Sequence, residues 1–181
     1  RVSVQKNVLV IGGGIAGIQA SLDLANAGLK VYLVEKASSL GGRMAQLDKT
    51  FPTLDCSACI LTPKMVDVSR HPNVALWTNS EIIAVKGFVG NFEISVLKTP
   101  KYVDEDKCVG CELCVQVCPV KVPDRFNENL KLTHAISVSS PHAVPRVAAI
   151  DAANCVRLKL KKNVCGKCLD VCEAKAIDFD Q

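Results

Sequence analysis

Cysteine spacing constrains this chain more than any other feature of its sequence. Cys108 opens a run of four cysteines separated by two, two and three residues, and a proline follows the last of them. A second run, from Cys155 to Cys172, has nine, two and three intervening residues. Zinc sites usually pair their cysteines in knuckles, whereas three cysteines spaced two apart wrap one face of an iron–sulfur cubane. The two runs therefore predict two [4Fe–4S] clusters.

The first run is the ligation pattern of bacterial ferredoxins, in which the fourth cysteine binds the other cluster. A pseudo-twofold exchange of these fourth cysteines then predicts the ligands. Cluster one takes Cys108, Cys111, Cys114 and Cys172. Cluster two takes Cys155, Cys165, Cys168 and Cys118.

The second run departs from the ferredoxin pattern in two ways. Glu173 replaces the usual proline after the last cysteine, and residues 156–164 form an insert where two residues are usual. The insert carries four cations: Arg157, Lys159, Lys161 and Lys162. Two interpretations stay open, a solvated loop and a docking surface for an acidic partner.

The first hundred residues carry a nucleotide-binding pattern. Asn7–Ile11 is typical of a buried parallel strand, a helix is predicted from Ile15 to Ala27, and Val31–Val34 is a second buried strand. A G-x-G-x-x-G motif joins the first strand to the helix; its glycines are Gly12, Gly14 and Gly17. Strand, turn, helix and strand together predict a dinucleotide-binding βαβ unit.

Each residue of this motif has a physical role. Gly12 makes the tight turn, Gly14 lets backbone N–H groups approach a pyrophosphate, and Gly17 allows close helix–sheet packing. Glu35 ends the second strand, where its carboxylate can accept hydrogen bonds from a ribose and would repel a 2′-phosphate.

The dinucleotide is predicted to be FAD. The acid is followed by Gly41-Gly42-Arg43, and this spacing resembles FAD-binding two-dinucleotide-domain flavoproteins rather than NAD dehydrogenases. The predicted FAD contacts are Gly12, Gly14, Gly17, Glu35, Lys36, Gly42 and Arg43. No catalytic residue is predicted, because the sequence shows no Ser–His–Asp arrangement, paired catalytic carboxylates or P-loop.

Cys56 and Cys59 are the two cysteines outside the runs, and three interpretations of them stay open. They form a redox-active dithiol beside a flavin, they supply part of a third cluster, or they are inert residues in a turn. A short helix is predicted from about Pro63 to Arg70. Three strands, Val74–Thr78, Ile82–Lys86 and Phe92–Leu97, are then expected to form a meander or hairpin.

Charge and hydropathy exclude other classes of partner. The formal net charge is +4, but a cluster with four thiolates carries about −2, so two clusters cancel it. No basic run with interleaved aromatic residues supports nucleic-acid binding. The first apolar run is too short for a signal peptide or a membrane span, so we expect the cysteines to bind metal in the reducing cytoplasm.

These motifs, in this order, closely resemble the HdrA family, the flavin and iron–sulfur subunits of heterodisulfide reductases in methanogens and related anaerobes. The resemblance runs from about Lys6 to Gln181 and includes Thr50–Met65, Val122-Pro123 and Ala143-Val144-Pro145. It implies an α/β Rossmann-like FAD-binding βαβ half-domain plus an α+β two-cluster ferredoxin-like domain. Residues 1–100 would be the N-terminal part of a thioredoxin-reductase-like FAD domain, and residues 101–181 its inserted ferredoxin domain.

The resemblance also implies a function and its partners. In that family FAD splits electron pairs, sending one electron through the inserted clusters towards ferredoxin and the other towards heterodisulfide reduction. The expected partners are the other subunits of the reductase, a hydrogenase or formate dehydrogenase module, and ferredoxin. The chain starts at Arg1 and stops at Gln181 before the FAD domain resumes, so we expect a fragment or a processed form that is active only in a complex.

Two other functions stay open. One is a thiol–disulfide oxidoreductase that uses Cys56 and Cys59, although no second nucleotide motif is present for NAD(P)H. The other is a ferredoxin-like electron-transfer adaptor that docks through the basic insert and binds no flavin.

Overall fold

The chain forms two compact units in a computed structural model that describes residues 4–181. The first unit ends at Thr99, and the second runs from Pro100 to Gln181. Arg1, on which the expectation of a fragment partly depends, lies outside the described residues.

A parallel three-stranded sheet organises the first unit. The elements of this unit are β1 (Val8–Ile11), α1 (Ile15–Asn26), β2 (Val31–Val34), a 3-10 helix (Gly42–Gln46), β3 (Lys49–Thr50), β4 (Asp55–Cys56), α2 (Ser57–Arg70), β5 (Val74–Trp77), β6 (Ser80–Phe88) and β7 (Asn91–Lys98). The sheet order is β1-β2-β5, with Val8 opposite Val31 and Val31 opposite Val74. The predicted strand–helix–strand unit is confirmed, but β1 is an edge strand of this sheet and is not buried as expected, since Ile11 is exposed.

The core of this unit lies between the central strand and the two long helices. Val31 and Leu33 of β2 are fully buried, as are Ile18 of α1 and Val68 of α2. Each such side chain stabilises the fold by roughly 1.5–3 kcal/mol relative to leaving it exposed. Burial of apolar residues on both sides of β2 is what a parallel strand covered by helices requires.

Two local predictions for this unit are wrong. The second helix begins at Ser57 rather than near Pro63, because the Cys56 Sγ accepts a hydrogen bond from the Cys59 N–H and caps it earlier. The strand at Val74–Trp77 is not part of a meander but pairs in parallel with β2. The hairpin consists of β6 and β7 alone.

The second unit contains short elements around a small core. They are α3 (Leu113–Val117), β8 (Lys121–Pro123), a 3-10 helix (Arg125–Asn127), β9 (Leu132–His134), β10 (Ile136–Ser137), β11 (Ala149–Ile150), α4 (Val156–Leu160) and α5 (Lys167–Asp170). The strand pairs β8–β9 and β10–β11 are antiparallel. The core residues are Val103, Ile136, Val147, Ala148, Ile150, Ala176 and Ile177.

Six of the eight cysteines in the two runs pack against this core: Cys108, Cys114, Cys118, Cys155, Cys168 and Cys172. The mixture of short helices and antiparallel strands is the predicted α+β arrangement. No helix in residues 4–181 has the length and apolar character needed to cross a membrane.

Candidate functional site

The glycine turn of the first unit brings the start of α1 close to the end of β1. Gly12 has a φ of +98°, which a residue with a side chain rarely adopts. A Cβ on Gly17 would collide with the Gly12 carbonyl oxygen. Both positions therefore require glycine for the backbone approach itself, independently of any ligand.

Gly14 differs from these two glycines because open space surrounds it. A Cβ added there would meet no atom within 4 Å outside its chain neighbours, and its φ of −76° is an ordinary one. Gly14 is the N-cap of the 12-residue α1, whose first N–H groups have no partner within the helix. The open space and the helix N-terminus together fit a pyrophosphate group.

The second glycine pair packs directly on this turn. The Gly41 N–H donates to the Gly13 carbonyl oxygen at 2.8 Å. Gly42 has a φ of +55°, and a Cβ on it would lie 3.0 Å from the Gly14 Cα. Two glycine segments separated in sequence therefore form one surface made of backbone.

Glu35 joins the turn to the end of β2. Its Oε2 accepts a hydrogen bond from the Gly13 N–H at 2.5 Å, and its Oε1 accepts one from the Ala37 N–H at 2.7 Å. A carboxylate has about four lone-pair positions, so this one retains acceptor capacity for ribose hydroxyls. The acid both holds the turn and remains able to bind a nucleotide.

The two predicted cationic contacts lie on exposed side chains. The Lys36 Nζ forms an ion pair with the Glu81 Oε2 at 3.0 Å. Arg43, in the 3-10 helix, donates from Nη1 to the Gln46 Oε1 at 3.2 Å. The structure thus brings together the four glycines and Glu35, whereas Lys36 is engaged with a residue of β6.

In the second unit, one apolar cavity is lined by all four cysteines predicted for cluster two: Cys118, Cys155, Cys165 and Cys168. Other walls of the cavity come from Ile136, Ile150 and Phe179. The four thiols come from three separate parts of the chain. A donor set of four cysteines in an apolar cavity fits a [4Fe–4S] cluster.

The pKa of the Cys168 thiol indicates the same grouping. Its pKa is raised from 9.0 to about 11, first by burial and then by nearby thiols: Cys155, Cys165 and, more weakly, Cys118. These are its three partners in the predicted cluster two.

Cys114 is the third cysteine of the first run, as Cys168 is of the second run. The pKa of its thiol is raised from 9.0 to about 12, and burial is the largest cause. Four nearby thiols contribute to the rise: Cys108, Cys168, Cys111 and Cys172. Three of these are its partners in the predicted cluster one, and Cys168 belongs to the other group, so the two groups are neighbours.

All eight cysteines of the runs are free thiols. Among residues 4–181, no three His, Cys, Asp or Glu side chains converge closely enough to hold a single metal ion. A cubane does not need such convergence, because each of its irons binds one thiolate at a different corner.

The insert between Cys155 and Cys165 has an inner and an outer side. It forms the five-residue helix α4 followed by the exposed residues 161–164. Lys159, Lys161 and Lys162 are exposed and have no ion-pair partner within the described part of the chain. Arg157 is half-buried and lines the cavity of the four cysteines.

Cys56 and Cys59 are bonded to each other as a disulfide. Both residues are exposed and lie at the N-terminus of the 14-residue α2. The two exposed sulfurs are therefore bonded to each other, whereas the eight cysteines of the runs are free thiols.

Two parts of these sites were not predicted from the sequence. One is the contact of Gly41 with Gly13, for which the Gly-Gly pair was a signal of close backbone packing. The other is the position of Arg157, which was expected to be exposed like the lysines of the insert. No local signal separates this arginine from them, because its inward direction depends on Cys165 and Phe179.

Comparison with known proteins agrees with the two kinds of site. A family model described as FAD dependent oxidoreductase matches residues 7–54, and one described as 4Fe-4S binding domain matches residues 101–124. Fold and sites thus define a segment of an FAD- and iron–sulfur-containing oxidoreductase.

The relatives specify this class further. The A-subunit of the H(2):CoB-CoM heterodisulfide,ferredoxin reductase of Methanothermobacter marburgensis is 51% identical over 181 residues, 100% of this chain and 26% of that protein. An iron-sulfur A-subunit of the CoB–CoM heterodisulfide reductase of Methanopyrus kandleri is 56% identical with the same coverage. The chain is a homologue, along its whole length, of the HdrA proteins. It spans about a quarter of the length of these curated relatives.

Among solved structures, the L-proline dehydrogenase of P. horikoshii is 28% identical to this chain. The match covers 54% of this chain and 19% of that one, with a TM-score of 0.46.

Proposed function

We propose that this chain is an electron-transfer segment of a heterodisulfide-reductase-type complex, in which it holds FAD and two [4Fe–4S] clusters. The observation that carries the proposal is the cavity lined by Cys118, Cys155, Cys165 and Cys168. Three of these cysteines belong to the second run and one to the first. This reciprocal grouping is typical of two-cluster ferredoxins and of no zinc site.

Support for cluster one comes from Cys114. The pKa of its thiol is raised first by burial, and then by Cys108 and Cys111 of its own run and by Cys168 and Cys172 of the other. Cys172 is one of the thiols near Cys114, but Cys168 affects the pKa more strongly, so the cavity remains the observation that carries the ligand exchange. We propose Cys108, Cys111, Cys114 and Cys172 as the ligands of cluster one.

Support for FAD comes from the backbone surface of the first unit. Gly14 leaves open space at the N-terminus of α1, Gly42 packs beside it, and Glu35 keeps acceptor capacity next to the turn. We propose that the pyrophosphate lies over Gly14 and that Glu35 binds the adenosine ribose. Gly12 and Gly17 act indirectly, because they shape the turn.

When bound, FAD exchanges electron pairs and the clusters carry single electrons, so the protein contributes position and electrostatics. Apolar side chains form much of the wall of the cysteine cavity, together with Arg157 and Lys167. Two of the ligands lie at helix starts, since Cys155 is the N-cap of α4 and Cys168 lies two residues after Gly166, the N-cap of α5.

We further propose electron bifurcation with ferredoxin as one acceptor and the other heterodisulfide reductase subunits as partners. The names of relatives support this, since one mentions H2 and ferredoxin and another, from Methanosarcina acetivorans, mentions ferredoxin and F420H2. The unpaired lysines of the insert adjoin Cys155 and Cys165, and an acidic electron carrier would dock there by charge complementarity. A hydrogenase or formate dehydrogenase module is a further proposed partner, and the eight free thiols support a cytoplasmic location.

The experiment is a cofactor count on anaerobically purified protein. We expect about eight irons and one FAD per chain, from two [4Fe–4S] clusters and one flavin. Iron without flavin would favour the adaptor function, in which the βαβ unit is only a scaffold. Flavin without iron would contradict the proposal.

A second candidate function rests on the exposed Cys56–Cys59 disulfide. A thiol–disulfide oxidoreductase would need such an accessible pair at a helix N-terminus, where a thiolate is stabilised. The Cys56→Ser/Cys59→Ser double variant distinguishes the interpretations. Loss of dithiol turnover with all iron retained supports this function, loss of iron supports a third cluster, and no change supports an inert pair.

A further inference from the structure

The guanidinium group of Arg157 is held against two residues that line the cluster-two cavity. Its Nη1 donates to the Cys165 carbonyl oxygen at 3.3 Å. Its Cζ lies 4.4 Å from the centroid of the Phe179 ring. Cys165 and Phe179 both line the cavity, so two independent contacts fix the positive charge next to residues of this cavity.

Within residues 4–181, Arg157 has no acid at ion-pair distance, although a Cβ built on Gly166 would lie 4.0 Å from both its Nη1 and the Asp170 carboxylate oxygens. Its two anchors are a carbonyl oxygen and an aromatic ring. Arg146 provides the contrast. Its Nη2 pairs with the Glu112 Oε1 at 3.0 Å, beside Cys111 in the first run, so that charge is largely neutralised.

We infer that Arg157 raises the reduction potential of cluster two and makes it more easily reduced than it would otherwise be. The inference rests on the proposed function, since it requires a cluster at these cysteines. Reduction adds one electron to a cluster that already carries about −2 with its four thiolates. A fixed, half-buried positive charge next to the cluster stabilises the more negative form, and solvent screens it less than it screens an exposed lysine.

Lys167 is the natural comparison because it also lines the cavity. Its side chain is exposed and has no ion-pair partner in the described ranges, so water screens its charge. Lys161 lies in the same insert but is exposed and outside the cavity. Arg157 is thus distinguished by burial and fixation, not by its charge alone.

The test is a redox titration of the cofactor-loaded protein, followed by electron paramagnetic resonance under anaerobic conditions. The variants are Arg157→Gln, Arg157→Lys, Lys167→Gln and Lys161→Gln. Cluster two is identified by repeating the titration in a Cys111→Ala background, which leaves its four proposed ligands intact. Iron content is measured for every variant.

In Arg157→Gln we expect the ratio of reduced to oxidised cluster two, at fixed potential, to fall about tenfold. This corresponds to a downward shift of about 59 mV for a one-electron couple. Arg157→Lys should recover most of this ratio, Lys167→Gln should change it less, and Lys161→Gln should leave it unchanged. Cluster one should titrate as in the unmodified protein in all four variants.

Two negative results have different meanings. If clusters are present in Arg157→Gln and cluster two titrates as in Lys161→Gln, the inference is overturned and the proposed function stands. If the unmodified protein holds no cluster at these cysteines, the proposed function fails, and the inference fails with it.

Discussion

Gly42 packs against Gly14 so closely that a Cβ on Gly42 would lie 3.0 Å from the Gly14 Cα. The two residues belong to motifs 28 positions apart in the sequence numbering. Their contact places the second glycine pair beside the open face of the turn between β1 and α1. A ligand that approaches Gly14 therefore meets backbone on both sides.

Gly14 and Gly17 allow the ligand role of the turn to be separated from its structural role. In Gly14→Ala the new Cβ enters open space, so we expect a loss of at most about 1 kcal/mol, the typical effect of alanine at an N-cap. In Gly17→Ala it collides with the Gly12 carbonyl oxygen, and we expect at least about 1–3 kcal/mol of destabilisation. Gly14→Ala should still reduce FAD affinity at least tenfold, about 1.4 kcal/mol.

Thermal unfolding of the flavin-free protein and FAD titration measure the two effects. A large drop in unfolding temperature for Gly14→Ala would show that its space is filled by packing, not by a ligand. Unchanged FAD affinity in that variant would contradict the proposed position of the pyrophosphate.

Glu35→Gln tests the carboxylate that joins the turn to β2. A glutamine has one acceptor oxygen where Glu35 uses two, so one of the Gly13 and Ala37 N–H groups loses its partner. We expect about 1–2 kcal/mol of destabilisation, because hydrogen bonds to charged groups contribute about 1.5–3 kcal/mol, and weaker FAD binding.

Glu81→Gln is the matched control for this substitution. Its carboxylate pairs with the exposed Lys36, and exposed ion pairs contribute only about 0–1 kcal/mol. Chemical denaturation and FAD titration are measured for both variants. Equal effects of the two substitutions would count against a special role for Glu35.

Double cysteine variants test the exchange of ligands between the clusters. Cys108 and Cys172 are predicted to share cluster one, so Cys108→Ala/Cys172→Ala should lose about four irons. Cys108 and Cys118 are predicted to serve different clusters although they are in the same run, so Cys108→Ala/Cys118→Ala should lose about eight. Iron analysis and electron paramagnetic resonance give the counts. The opposite ranking would mean that each run binds its own cluster.

The buried thiols predict how the stability of the cluster-free protein depends on pH. The pKa values of Cys114 and Cys168 are raised from 9.0 to about 12 and about 11. Their contribution is therefore fully present below pH 9 and is lost as pH rises towards 11–12, because the unfolded thiols ionise first.

Urea unfolding between about pH 8 and 10.5 measures this loss. Cys114→Ala/Cys168→Ala is the control, because it removes both thiols while lysines and tyrosines still titrate. We expect a steeper decline in the unmodified chain than in this variant. Parallel declines would show that the two thiols do not carry the effect.

The outer lysines of the insert predict a salt-dependent reaction with an acidic electron carrier. Lys159→Gln/Lys161→Gln/Lys162→Gln should slow electron transfer to a ferredoxin about tenfold at low ionic strength, since charge complementarity mainly raises association rates. The difference should shrink at high salt. Stopped-flow kinetics measure it, with the exposed Lys121→Gln as control. A rate loss that is independent of salt would contradict docking by charge.

Local sequence was sufficient for the βαβ unit. Gly12 and Gly17 are required by backbone geometry that the motif itself specifies, and β1, α1 and β2 follow from apolar patterns of strand and helix length. The resemblance to the HdrA family is also confirmed by relatives at 51% and 56% identity. By contrast, the start of α2 was missed because a cysteine sulfur caps it, and cysteine is not a usual capping residue.

The sequence by itself determined which residues could bind cofactors, because ligand type and spacing are chemical properties of a short segment. The two runs also predicted that Cys118 joins Cys155, Cys165 and Cys168, and one cavity brings these four together. Only the tertiary structure decided that Gly42 reaches Gly14 and that Arg157 lies against Cys165 and Phe179 while its neighbouring lysines remain exposed. The physical reason is that these contacts join residues distant in the chain through packing of a shared core, and no local pattern records that packing.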